Sequence, residues 1–418
     1  MDPAAPPDEF VNLLTPRSGP RATSPVDRRR LSGQPLSLST YFAETITNRQ
    51  FAGFDLSRWD RYFLPPALAP LADGTPEEVV EAVEDDNRSA ILPEPVASLQ
   101  GLPFYLSVKG IGSTVEPFSY RRLTGASAAE LTDDLEVRDR LHSRPGESLG
   151  GIISGELWLR GSPYGGQGLP HAMTALRVSE RAHLTDLAGF RIAPVVKVAF
   201  LPESVARRLR SIHWYRKYRD RFVQELRLVP SNVRVYFHAR STVGNDPGLV
   251  FDQFGIDSPG KAHAFELNFV RSGLAVLTLF ARTLSRDTER ELYSGLDFQD
   301  VWLDKDAVLA PDGTIFFVDL EGIDTVEIDR RGVREKIEDQ IFRSLYEFMF
   351  AYEQIEQERT RRFGSLGSRK RFFESLVVDA LRDDPYLRPR PEAGGLLLRV
   401  LPGKDEESLS FDFPLVDP

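Results

Sequence analysis

Residues 311–322 read PDGTIFFVDLEG, and this short stretch limits the fold more tightly than any other. Asp312-Gly313 is a two-residue hairpin signal. Ile315–Val318 is apolar at every position, so both faces of the returning strand must be buried, yet the run stops on Asp319. An ionised carboxylate at the mouth of a core is costly unless a structural partner or a cation meets it. Counting back across a type I′ turn opposes Leu309 to Phe316, Ala307 to Val318 and Asp306 to Asp319. Opposed residues share a face, with Cβ atoms about 4.5–5.5 Å apart. Two carboxylates so placed repel unless one is protonated or a cation lies between them. Asp306 and Asp319 are therefore candidate ligands of Mg²⁺, a hard cation that takes oxygen donors. A three-residue turn that closes with Gly313 in a bulge moves the register by one and weakens this opposition.

Upstream, LDFQDVWLDKD adds Asp297, Asp300 and Asp304 to the approach. Protein-kinase-like folds use this pattern: an acid-bearing loop enters a hairpin, and a metal-binding Asp ends the return strand just before a Gly. Such a site also needs a lysine on a strand to meet phosphates and a helix glutamate to steady it. Lys109 ends the alternating strand FYLSVK and precedes Gly110 and Gly112, and Glu180 lies on the helix that follows.

The remaining chain is compatible with that scheme. With 418 residues, the protein can bury a large core and two lobes. A net charge of −10 argues against general electrostatic binding of nucleic acid. There is no cysteine, which excludes disulfides and thiolate–metal sites and fits a cytoplasmic protein. No apolar run approaches the roughly 20 residues of a membrane span. The six histidines lack metal-ligand spacing, and no GxSxG elbow supports a hydrolase triad.

Residues 1–36, rich in Pro, Ser and Arg, read as a disordered tail. Residues 37–202 read as a strand-rich N-lobe with an aromatic entry segment and an insertion over about 115–162. Within it, Thr75-Pro-Glu-Glu has the cap, proline and acids of a helix start, predicting a helix to about Val83. Strands are expected at Ser89–Leu92, Phe104–Lys109, Glu156–Arg160 and within Phe190–Leu201, with a helix over Leu169–Leu187. Residues 203–390 read as a helical C-lobe that carries the hairpin. Its predicted helices are Arg-rich Glu203–Leu228, apolar Lys261–Leu284 and amphipathic Val333–Glu358. Residues 391–418 form a C-terminal extension. The fold class is α+β, bilobal and protein-kinase-like.

Several motifs, in order, resemble the selenoprotein O family of kinase-like protein adenylyltransferases. VKGIGST (108–114) followed by SPYGGQG (162–168) is similar to that family's lysine–glycine hallmark. VSERAHLTDLAGFRIAPVVKV (178–198), DDNRSAIL (85–92) and RVYFHARSTVG (234–244) are similar to its helix, upstream loop and arginine segments. The resemblance spans roughly residues 80–325. It implies a transferase that moves AMP from ATP to Ser, Thr or Tyr hydroxyls of a protein substrate. In that scheme Lys109, Arg234 and Arg240 hold the phosphates, with Asn87, Arg88, Gly110 and Gly112 in the phosphate-side loops. Glu180 orients Lys109, Asp306 and Asp319 bind Mg²⁺, and Asp304 or Asp300 is the base. This chain departs from the family at Ala175, where the resemblance expects the glutamate that pairs with the lysine. A nucleotide-binding pseudoenzyme and a kinase using the γ-phosphate therefore stand as alternatives.

Overall fold

The computed structural model describes residues 10–12, 36–42, 44–53, 55–64, 78–80, 83–86, 89–99, 101–110, 167–181, 191–203, 222–235, 247–284, 295–296, 307–318, 323–324, 348–384, 387–392, 395–400 and 410–412. They form an α+β structure whose paired strands are all antiparallel. Two compact units are present. The first is built mainly from Val26–Glu180 and Pro194–Asn232, the second from Arg181–Ala193 and Val233–Pro418.

The strands of the first unit are β1 (Phe10–Asn12), β2 (Leu36–Phe42), β3 (Thr45–Thr47), β4 (Arg61–Leu64), β5 (Glu78–Val80), β6 (Val83–Asp86), β7 (Ser89–Leu99), β8 (Leu102–Lys109), β9 (Gln167–Gly168), β10 (Val195–Phe200) and β11 (Phe222–Val229), with helix α1 at Leu169–Arg181. The main sheet has the order β1-β7-β8-β11-β10-β3, with β6 also on β7 and β9 also on β11; β4-β2-β5 form a second sheet. The middle of the main sheet is buried on both faces. Phe104, Leu106, Val108, Val198 and Leu226 are all inaccessible to solvent, as expected of near-continuous apolar strands at a sheet centre. Beneath one face lie the buried aromatics Trp59, Tyr62 and Phe63. Gln224 ties them to β11: its amide donates to Phe63 O (2.6 Å) and accepts from Phe63 N (2.7 Å).

The second unit contains α2 (Pro247–Phe254), α3 (Pro259–Leu284), β12 (Gly295–Leu296), β13 (Ala307–Leu309), β14 (Ile315–Phe317), β15 (Ile323–Asp324), a helix α4 over 348–363, α5 (Arg369–Ala380), and the sheet β16 (Leu387–Glu392), β17 (Gly395–Val400) and β18 (Ser410–Asp412). Ser258 starts α3 by accepting from Lys261 N at 3.4 Å, and Pro259 occupies the first helical position, where no amide donor is needed. Phe269 of α3 stacks on Phe348 of α4 at 5.5 Å, and Tyr352 of α4 meets Phe373 of α5 at 4.6 Å. Among the described residues, no helix is long and apolar enough to cross a membrane.

Three local expectations are corrected. Residues Glu78–Val80, placed in a helix by the cap-like Thr75-Pro-Glu-Glu, form strand β5 on β2. The two adjacent valines favour the pleated conformation, and a neighbouring strand edge accepts them. Phe222–Val229, placed at the end of an Arg-rich helix, is instead the strand β11 between β8 and β10. Long-range pairing on both edges overrides the helical composition of the preceding run. The hairpin, finally, pairs Ala307 with Phe317, Val308 with Phe316 and Leu309 with Ile315. Its loop is three residues long, closed by Ala310 N to Thr314 O (2.8 Å) and Gly313 N to Ala310 O (2.9 Å), with Gly313 at φ +92°. This is the bulged alternative, one residue out of the type I′ register.

Elsewhere the predicted elements are close to the structure. Lys261–Leu284 is α3 starting two residues earlier, and the helix expected at Leu169–Leu187 is described as far as Arg181. The strand expected within Phe190–Leu201 is Val195–Phe200. Of the predicted Val333–Glu358 helix, α4 supplies the described part and continues to residue 363; Glu156–Arg160 lies outside the described residues.

Candidate functional site

Lys109, the last residue of β8, is 3% exposed. Across the main sheet its rung reads Asp86, Ser89, Lys109, Glu225, Val198, Ile46, on β6, β7, β8, β11, β10 and β3 in turn. Opposed residues share a face, so Lys109 and Glu225 stand side by side with Cβ atoms about 4.5–5.5 Å apart. The next rung on this face carries Ile91, Ser107, Arg227 and Val195. Arg227 Nη2 donates to the Glu225 carboxylate, and both side chains are almost wholly buried. Two rungs of the sheet thus hold two cations, the acidic residues Asp86 and Glu225, and the serines Ser89 and Ser107. Burying charge is tolerable only with close pairing, which Glu225 supplies to Arg227. Arg227 Nε is buried with no acceptor.

The opposite face is closed by structure. Lys197 Nζ donates to Leu56 O at 2.9 Å and pairs with Asp60, which anchors the 56–63 segment under β10. The chemistry of the sheet is therefore confined to the Lys109 face. Gly110 follows Lys109 with φ +87°, a backbone state natural to glycine, so the chain turns sharply as soon as the lysine is placed.

Glu180 does not take the role expected of it. Its Oε1 accepts from Arg49 N at 3.1 Å, while its backbone oxygen accepts from Gln50 Nε2 at 2.8 Å, so it fastens the short helical turn at Arg49–Phe51. The neighbouring Ser179 is the buried residue: its hydroxyl accepts from Val195 N at 2.9 Å and donates to Ala175 O at 2.9 Å. A one-residue step around a helix is about 100°, enough to turn a carboxylate away when a serine faces inward. Glu225 is the carboxylate that register brings to Lys109. Reading the sequence as a helix there hid it; the alternation of Val223, Glu225, Arg227 and Val229 against Gln224, Leu226 and Leu228 was the signal available.

In the second unit, Arg234 bridges to Val308, with Val235 N donating to Ala307 O (3.1 Å) and Leu309 N to Val233 O (2.8 Å). Residues 233–235 thus run along the edge of β13. The other edge of the hairpin is paired too: Ala193 N donates to Phe317 O (2.7 Å) and Phe317 N to Arg191 O (3.0 Å). Its tip is held on α3, where Asn268 Nδ2 donates to Asp312 O (3.0 Å) and Ile315 N donates to Ser272 Oγ (3.0 Å). Outside this hairpin, β12 and β15 pair with each other. The two connections between the ladders carry Asp297, Asp300, Asp304 and Asp306 on one side and Asp319 and Glu321 on the other. Asp300, Asp304, Asp306 and Asp319 lie outside the described residues, as do Asn87, Arg88, Gly112 and Arg240. With the observed register, the direct opposition of Asp306 to Asp319 no longer follows from the hairpin. Among the described residues, no group of three or more His, Cys, Asp or Glu side chains could hold a metal ion.

A second buried polar cluster joins α3, α4 and α5. Arg359 donates to Glu266 at 2.9 Å and to Glu356 at 3.0 Å, and Arg369 pairs with Glu356 at 2.7 Å. Burial pushes the Glu266 carboxyl up to about 7, against the pull of Arg359 beside it. Arg359 also lies 4.9 Å over the ring of Phe372 and donates to Gly364 O at 3.2 Å. These contacts fasten the turn between α4 and α5, a structural role.

No known protein family, curated protein or solved structure matches the chain.

Proposed function

We propose that this protein is an ATP- and Mg²⁺-dependent transferase that moves AMP onto hydroxyl groups of a protein substrate. The observation that carries the reading is the buried pair of Lys109 and Glu225 at the end of a central strand, immediately before a glycine with positive φ. A lysine is rarely buried without a charge to meet. Here a carboxylate stands opposite it on the neighbouring strand, and the sequence continues Gly110-Ile111-Gly112, whose glycines are the residue type that lets backbone amides approach phosphates. The order of elements also supports a kinase-like transferase. A lysine strand, a helix, two strands, a crossing segment with Arg234, two helices, an acid-bearing connection, a hairpin and Asp319 follow one another along the chain.

In this reading Lys109, Arg234 and Arg240 neutralise the phosphates, and Glu225 takes the orienting part first assigned to Glu180. The carboxylates of Asp306 and Asp319 are hard donors that fit Mg²⁺, which when bound would offset charge on the phosphate oxygens. Asp304 or Asp300 accepts the proton of the acceptor hydroxyl. The hydroxyl oxygen attacks the α-phosphorus, the bond to the α,β-bridging oxygen breaks, and pyrophosphate leaves.

A second reading is a pseudoenzyme, favoured by Ala175, a fully buried alanine where the family resemblance expects a glutamate. Incubation with Mg²⁺ and ATP labelled at either the α- or the γ-phosphate separates the readings. Protein-bound label from the α-position alone is the expected result. Label from γ alone means a kinase, and label from neither means the pseudoenzyme. Asp319→Ala is expected to abolish transfer while the protein melts as before; undiminished transfer removes Asp319 from the metal site.

A further inference from the structure

The Lys109 face holds a donor that the phosphate reading has not used. Arg227 is 4% exposed, and its Nη2 is committed to Glu225, but its Nε is buried without an acceptor. A buried N–H left unmade costs more than an average hydrogen bond returns, so such groups nearly always have a protein, water or ligand partner. The register narrows the choice of partner. Arg227 stands opposite Ser107 and one rung from Lys109 on the same face, with Glu225 between the two cations. An acceptor arriving at Nε therefore meets a buried face that carries a lysine, an arginine and two serines together with the acidic residues Glu225 and Asp86. Glu225 is already committed to Nη2, and a guanidinium presents a fixed fork of donors whose free arm suits an anionic oxygen.

We infer that Arg227 is a second anion donor of this face, holding Glu225 through Nη2 while Nε donates to an oxygen of a bound polyphosphate. The inference rests on the reading in which the Lys109 face receives the phosphates of a nucleotide. It adds a division of labour: Glu225 positions Arg227, and the two cations meet the ligand from adjacent rungs. A ligand with several linked anionic groups can engage both, whereas a single carboxylate cannot span them as well. Arginine is also required in kind. A lysine at 227 would keep the charge and could still pair with Glu225, but it has no counterpart of the Nε–H.

The test is calorimetric titration of the full chain with inorganic tripolyphosphate, beside labelled-ATP transfer on the same samples. Wild-type protein is expected to bind tripolyphosphate, and Arg227→Lys to bind it about tenfold more weakly or worse, the effect of losing one charge-assisted hydrogen bond. The double variant Arg227→Met with Glu225→Gln leaves a neutral pair and carries the test if the single variant fails to melt cooperatively. It too is expected to lose binding. Equal affinity in a folded variant and the wild type means that Nε is satisfied by water and overturns the inference, while the transferase reading stands. Absence of binding by the wild type overturns the inference as well. Weakened binding by Arg227→Lys in a protein that transfers no label leaves the inference intact and sinks the transferase.

Discussion

Gly313 carries two constraints at once. Its φ of +92° lies in the left-handed region, and a Cβ built on it would sit 2.2 Å from Phe265 O, a backbone atom that cannot swing away. Gly364 has a similar φ of +89° but nothing within 4 Å of its would-be Cβ. Gly364→Ala therefore costs backbone strain alone, about 1–2 kcal/mol. Gly313→Ala adds a collision with α3 and is expected to cost clearly more, on the order of 3 kcal/mol. Urea unfolding of the two variants side by side checks the difference; equal midpoints would show that the hairpin tip shifts freely on α3. The Asp-Gly signal was legible in the sequence because turn chemistry is local. Whether the loop held two residues or three was not, since Phe265 and Asn268, which seat the tip, lie more than forty positions upstream.

Elements show the same division on a larger scale. Helix α3 was readable because its apolar character is sustained over a long run, although its start at Pro259 lay two residues before the expected one. Strand β11 was not, because eight residues following an Arg-rich stretch carry too little periodicity to outvote their neighbours. The packing of α3 on α4 depends on a further detail that pattern alone misses. A Cβ on Gly273 would lie 2.3 Å from the Phe348 ring, whose own position is set by stacking on Phe269 and contact with Phe373. Gly273→Ala is expected to destabilise the protein by roughly 1–3 kcal/mol, as overpacking of a buried contact does. The double variant with Phe348→Leu should recover part of that loss. Denaturant midpoints for the two singles and the double give the coupling, and strict additivity would refute the contact.

At the scale of the whole molecule, the buried Glu266 links stability to pH. The folded protein retains its proton up to about pH 7, while the unfolded chain releases it near the ordinary carboxylate value of 4.5. Between those values the native state binds more protons than the unfolded state, so stability falls as pH rises. The slope is about 1.4 kcal/mol per pH unit, and the total on the order of 3 kcal/mol. The contribution is fully present below the lower value and is lost through the upper one. Glu266→Gln, which keeps an acceptor for Arg359, should match the wild type near pH 4 and exceed it in stability near pH 8. Urea unfolding across that range measures it, and a constant difference between the two proteins would refute the assignment.

From the sequence alone come the α+β class, the apolar hairpin with its terminal aspartate, the strand that ends on Lys109, and helix α3. Each is written in contiguous residues, in a period, a cap or a turn dipeptide. Tertiary structure decided that Glu225 rather than Glu180 stands beside Lys109, that Arg227 joins them, and that the hairpin turns through three residues rather than two. Those outcomes depend on which strands meet and in which register. A shift of one residue in a strand turns every side chain to the other face, and only packing against distant partners fixes it.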